Sequence, residues 1–211
     1  MSNRRLFSEI VSIHLVAWWG VRILSSQTAL MHTAVENTPE WYAVRLVRAI
    51  ITIAVVLAWA RWRKVMWQEI GLGKQGFWRN FVIAFGLIAT LWVAIVIVRG
   101  TPLLAPQPIA YSARFWAVIT GLIDILAQQL PTFGLLQSLG ARQLPRPAAF
   151  VLALLSFGLA HMIIASLPMV MVALVIGFFF GLSLWRTGNL GLGLGVHFGF
   201  YFMMAIMGWG A

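Results

Sequence analysis

Asp124, Gln128 and Gln129 lie in one long apolar stretch, Asp124-Ile-Leu-Ala-Gln128-Gln129-Leu-Pro131-Thr-Phe133-Gly134. His161, in Phe157-Gly-Leu-Ala-His161, and His197, in Gly195-Val-His197-Phe-Gly-Phe-Tyr201, lie in two further apolar stretches. Polar side chains in hydrocarbon are costly and usually face a bundle interior or a functional cavity. Three such positions on three helices outline a site. With a carboxylate at 128 or 129, that site could take a proton from water and hydrolyse a bond within the membrane. A carboxamide cannot do so at neutral pH, so general-base hydrolysis loses its most plausible agent. Asp124 is the one carboxylate of the set. It stands four residues before Gln128, on the same helix face, with Gln129 on the adjacent face. Pro131 interrupts the hydrogen-bond ladder just beyond, which opens backbone carbonyls and kinks the helix.

The elements that carry these groups follow from composition. Of 211 residues, 61% are hydrophobic and 9% charged, against roughly 25% charged in a soluble domain. The fold class is an all-α polytopic membrane bundle. A spanning helix needs about 20 mostly apolar residues, and seven segments qualify: about 7–31, 44–61, 78–99, 114–139, 148–165, 168–186 and 189–209. The fifth and sixth are short and joined by Ser166-Leu167-Pro168, as in a tight hairpin. Residues 61–77 form a basic, aromatic connection of the interfacial kind, and Thr101–Pro108 a proline-punctuated loop.

There are 15 Lys and Arg against 5 acids, a net charge of +10. Spread through short loops, these bases fit membrane orientation and anionic headgroups rather than nucleic acid. If the amino terminus is cytoplasmic, the cytoplasmic side carries ten bases from Arg4 to Arg186, and the other side Arg45, Arg48, Arg99 and Arg114. That asymmetry predicts N-in, C-out. Several of the 11 tryptophans (Trp59, Trp62, Trp67, Trp78, Trp116 and Trp185) neighbour Arg or Lys, as interfacial anchors do. Without cysteine, disulfides and thiolate metal sites are excluded.

From about residue 70 to 205 the chain resembles the type II CAAX prenyl protease and bacteriocin-processing (CPBP) family, the Abi-type glutamic intramembrane proteases. That family shows Glu-Glu-x-x-x-Arg, then Phe-x-x-x-His, then His-x-x-x-Asn or Asp. The same order and spacing is met by Gln128-Gln129-x-x-x-Phe133, Phe157-x-x-x-His161 and His197-x-x-x-Tyr201. Gly177-Phe-Phe-Phe-Gly181 through Leu190 looks like the approach to the last family histidine, and Ile70-Gly71-Leu72-Gly73 like an element before the family core. The resemblance implies an N-terminal part, 1–69, of transmembrane helices and basic connector, and a CAAX-protease-like core, 70–211. It also implies a vestigial site of Gln128, Gln129, Phe133, His161, His197 and Tyr201. In the family the first glutamate activates water; here both glutamates are Gln, the Arg is Phe133 and the last Asn or Asp is Tyr201. Neutral histidine can donate to an oxyanion but cannot replace the carboxylate network.

Plainer roles stand beside these. Asp124 could be a displaced base, a neutral buried acid or the partner of Arg22. His161 and His197 could bond across helices, or with Asp124 supply three metal ligands. The glycines at 177, 181, 191, 193 and 195 suit close helix packing. The expectation is a non-enzyme, without cofactor or metal: a pseudoprotease-like binding, scaffold or accessory subunit of a membrane complex. It would sit in a bilayer, in a bacterial inner membrane, with membrane-protein partners. The alternatives are an active intramembrane endopeptidase with a rearranged site, and a lipid or small-molecule binder using the former cavity.

Overall fold

The computed structural model describes residues 3–26, 38–73, 75–99, 111–163 and 167–207. The Thr101–Pro108 loop, Glu36 and the 164–166 connection lie outside them. The described residues are almost wholly helical, with no strand among them. We number the helices α1 (3–26), α2 Pro39–Trp62, α3 Phe77–Arg99, α4 (111–142), α5 Arg146–Ala160, α6 Leu167–Thr187 and α7 Gly191–Ile206.

Five of the seven expected spans are long and apolar enough to cross a bilayer, as in a multi-pass membrane protein. α5 and α7, the expected fifth and seventh, have 15 and 16 residues, short of the ~20 a crossing needs. α5 opens with Pro147 in its first turn and ends early, tightening into a 3-10 turn at His161–Ile163, and α7 runs only from Gly191 to Ile206.

α4 is the axis of the bundle. Its membrane-length window is 72% buried, against 11% for α3 at the periphery. The other helices surround α4, with one apolar core drawing Ile10, Val56 and Trp59 together with Phe133, Phe157 and Phe180. That core crosses the expected division at residue 69, so α1 and α2 pack as part of the same bundle. Trp59 is buried in it, and Trp18 and Trp92 are buried elsewhere in the bundle. Trp59 therefore offers no headgroup anchor, while Trp62, Trp67, Trp78, Trp116 and Trp185 are exposed.

Local sequence sets the ends. Thr38 caps α2 by accepting the Trp41 N–H, with Pro39 at the first turn. Between α2 and α3, among the described residues, only Trp67–Ile70 is helical, as one 3-10 turn closed by Gly71 at φ +79°. Ile70 is fully buried, its carbonyl would lie 2.9 Å from a Cβ at Gly134, and the Gly71 carbonyl accepts the Leu190 N–H. The Ile-Gly-Leu-Gly element is thus wedged between α4 and the α6–α7 turn.

α3 and α7 run parallel in close contact. A Cβ at Gly191 would lie 2.3 Å from the Phe77 carbonyl, and one at Gly195 2.3 Å from that of Phe81. One at Gly199 would lie 3.3 Å from that of Phe85. The three glycines, four residues apart, form the small-residue stripe that lets two backbones meet.

Candidate functional site: a buried arginine–aspartate centre

α2 points Arg45 and Arg48, three residues apart on one face, at α4. Arg45 Nη2 donates to Asp124 Oδ2 at 2.7 Å and Arg48 Nη2 to Oδ1 at 3.1 Å. All three side chains are buried. Arg45 also donates to the Tyr201 hydroxyl at 2.6 Å and lies 4.5 Å over the Trp41 ring. Gln128 Nε2 makes a long contact with Asp124 Oδ2, 3.4 Å. Arg22, buried and stacked 4.7 Å over Trp18, lies within electrostatic range of Asp124. Thus Asp124 is neither neutral by isolation nor held first by Arg22. Its carboxylate is clamped by two guanidiniums from α2.

Arg45 and Arg48, counted from the sequence on the outer side at the start of the 44–61 span, are turned into the bundle. α2 begins at Pro39, six residues before Arg45, and the two arginines enter the bundle because a buried carboxylate meets them. Isolated charges in hydrocarbon are costly; opposed charges with fixed hydrogen bonds are tolerable. The signal in the sequence was the Arg45-Leu-Val-Arg48 spacing against Asp124, the one acid near the middle of an expected span.

The other expected site residues form a second group, mostly aromatic. Gln129 is fully buried, and its Oε1 would lie 3.0 Å from a Cβ at Gly193, one turn before His197. His197 stacks on Phe180 at 5.2 Å between ring centres and meets Tyr201 edge-on at 6.4 Å. Phe133 is fully buried, 5.4 Å from Phe157 and 6.2 Å from Phe180. His161 Nδ1 bonds the Phe157 carbonyl of its own helix at 2.7 Å, with its ring 4.9 Å from that of Phe157. Both histidines therefore border the Phe157–Phe180 pair. Gln128 Oε1, both Gln129 amide atoms, Thr132 Oγ1 and His197 Nδ1 are buried and have no protein partner among the described residues. No three His, Asp or Glu side chains converge as metal ligands among those residues.

A third polar contact was not foreseen. Beyond Gln129, α4 widens into a π-helix over Leu130–Leu139, and α1 does the same over Leu15–Gly20. Pro131 supplies no N–H, so the α-helical ladder cannot continue there. His14, immediately before the α1 widening, bonds the Pro131 carbonyl through Nδ1 at 3.0 Å and Ser156 Oγ through Nε2 at 2.6 Å. Trp19 Nε1 donates to the same Ser156 oxygen at 3.0 Å. One tautomer serves all three bonds: Nδ1–H donates to the carbonyl and Nε2 accepts the serine proton. The Pro131 carbonyl is thus tied through His14 to α1, and His14 and Trp19 tie α1 to Ser156 of α5.

At the other depth, the 3-10 turn holds Glu69. Its Oε2 accepts the Met66 N–H at 2.6 Å, its Oε1 pairs with Arg142, and its carbonyl accepts Ser138 Oγ at 2.8 Å. Burial alone would raise this carboxyl. The Met66 N–H and the Arg142 guanidinium outweigh it and hold the group below the usual carboxylate range.

Compared with protein families, curated proteins and solved structures, the chain matches none.

Proposed function

We propose that this chain is a non-catalytic integral membrane protein, a degenerate relative of the CPBP intramembrane proteases retained as a binding or accessory subunit of a membrane assembly. The observation that carries the reading is the state of Asp124. It is the one carboxylate near the vestigial positions, and both its oxygens already accept arginine protons. A base must have a lone pair free toward water and be able to take a proton. Two guanidiniums oppose both. Phe133, where the family has arginine, packs in an aromatic core, and Tyr201, where it has Asn or Asp, serves Arg45. The runner-up, an active endopeptidase with Asp124 as displaced base, is disfavoured by the same contacts.

The finer proposals keep the sequence-based expectations: seven membrane-embedded helices, N-in and C-out, in a bacterial inner membrane. Cysteines at positions 38 and 105 should be labelled from outside and one at 64 should not; the reverse pattern overturns the orientation. For catalysis, the purified protein is given prenylated CAAX and leader peptides, and no cleavage is expected. Turnover abolished by Asp124→Asn would replace this reading with the displaced base. For assembly, mild extraction and native-mass analysis should find the chain in a larger complex, and a detergent-bound monomer alone would count against it.

A second reading draws on the partnerless atoms of Gln128, Gln129, Thr132 and His197. Buried polar atoms of this kind call for waters or a polar ligand. A small molecule retained through purification and lost in Gln129→Leu would favour ligand binding in the former site.

A further inference from the structure

The end of the bundle that carries Glu69 has two adjoining hollows. One is a polar basin of about 580 Å³, bordered by Arg142, Arg146, Arg186, Gln137, Ser138 and Thr187. The other is an apolar groove of about 510 Å³ between α6 and α7, bordered by Ile176, Phe179, Leu182, Leu192 and Val196. Arg186 and Thr187 form walls of both. Charged head space and apolar channel therefore meet at one arginine.

We propose that basin and groove together hold one anionic phospholipid, with its phosphate against Arg146 and Arg186 and one acyl chain along the groove. Charge complementarity favours this occupant. Glu69, the acid in the basin, is already satisfied by Arg142 and the Met66 N–H. Arg146 and Arg186 have no carboxylate partner among the described residues, and both are exposed. Basic hollows between transmembrane helices are suited to phosphate headgroups. Trp185, exposed beside Arg186, fits the headgroup level.

The buried amide narrows the headgroup. Gln137 Nε2 donates to the Gly181 carbonyl at 2.7 Å, while its Oε1 lacks a protein partner in the basin wall. It is an acceptor without a donor, and a phosphodiester has no proton to give it. A headgroup hydroxyl does, so a phosphoglycerol headgroup suits the basin better than one without a hydroxyl. Ser138 and Thr187 add further hydroxyl contacts.

The test is native mass spectrometry of the purified chain titrated with phosphatidylglycerol or with phosphatidylcholine of the same acyl chains. One phosphatidylglycerol per chain should be retained in preference to phosphatidylcholine. Arg146→Gln and Arg186→Gln should each weaken it about fivefold and the pair about thirtyfold, from ~1 kcal/mol per arginine near a headgroup. Arg61→Gln, exposed but outside the basin, should leave retention unchanged. Leu192→Trp, which narrows the groove without altering charge, should weaken retention as well, and circular dichroism checks that each variant stays helical. Equal retention of the two lipids overturns the proposal. So does a loss with Arg61→Gln equal to that with the basin variants, which would mean diffuse attraction. Displacement of the lipid by millimolar glycerol phosphate would show a free-anion site and overturn the lipid assignment too.

Discussion

The chain pairs carboxylate with arginine at two depths, and the same chemistry has opposite weight in each. At Glu69 and Arg142 the guanidinium is 50% exposed, water can replace either partner, and the contact fastens a turn. At Asp124 the carboxylate is 4% exposed and its arginines about 10%, so each charge exists only because the others do. A rim pair contributes little, whereas a buried pair is costly to assemble and more costly to break. The burial of a charge, more than the type of its partner, sets its consequence.

The strongest way to break this contrast is Asp124→Asn. It leaves Arg45 and Arg48 buried side by side without their counter-charge. A loss of about 3–5 kcal/mol in unfolding free energy is expected, measured by denaturant titration in detergent. Replacing the whole group (Arg45→Met, Arg48→Met and Asp124→Leu together) should restore most of that loss, since apolar substitutes of similar volume are commonly neutral or better. A triple variant as unstable as Asp124→Asn would show that the arginines serve packing rather than charge.

Tyr201→Phe sharpens the picture within the buried centre. It removes the hydroxyl that accepts from Arg45 and should cost about 1.5–3 kcal/mol, as for hydrogen bonds to charged groups. Glu69→Gln is the rim control, with an expected loss of about 1 kcal/mol or less. The rim pair also has a pH signature. Its folded carboxyl is held below the ordinary value, so its contribution is complete above about pH 4.3 and is lost as pH falls through the lower folded value. Proteolysis near residues 64–73, followed from pH 7 downward, should accelerate only in that acidic window and should not do so in Glu69→Gln.

The same contrast explains what could be foreseen from the residues. Spans such as 78–99 and 114–139 were legible because lipid demands continuous apolar stretches, and α3 and α4 occupy them closely. The glycines at 191, 193 and 195 announced close contacts, though not that Gly191 and Gly195 meet α3 while Gly193 meets Gln129 and Phe180. The pairing of Arg45 and Arg48 was not legible because hydropathy penalises each charge separately and cannot credit a partner 79 or 76 residues away. Pro131 predicted a break in the helix, but nothing local named His14, 117 residues distant, as the partner of its own carbonyl. Long-range polar pairing depends on helix rotation, which apolar composition leaves undetermined.

The glycine track between α3 and α7 has a consequence for how the protein is made. α3 is apolar around its circumference and can rest in lipid as soon as it is synthesised. α7, about 24 Å long at 1.5 Å per residue, falls short of a ~30 Å hydrocarbon layer. Its emergence from the ribosome comes some ninety residues after α3, roughly 5–20 s at common synthesis rates. During that interval the carbonyls of Phe77, Phe81 and Phe85 wait beside lipid for Gly191, Gly195 and Gly199. The contacts of the glycine track can form only once α7 has been synthesised, so the α3–α7 face is among the last parts of the bundle to close.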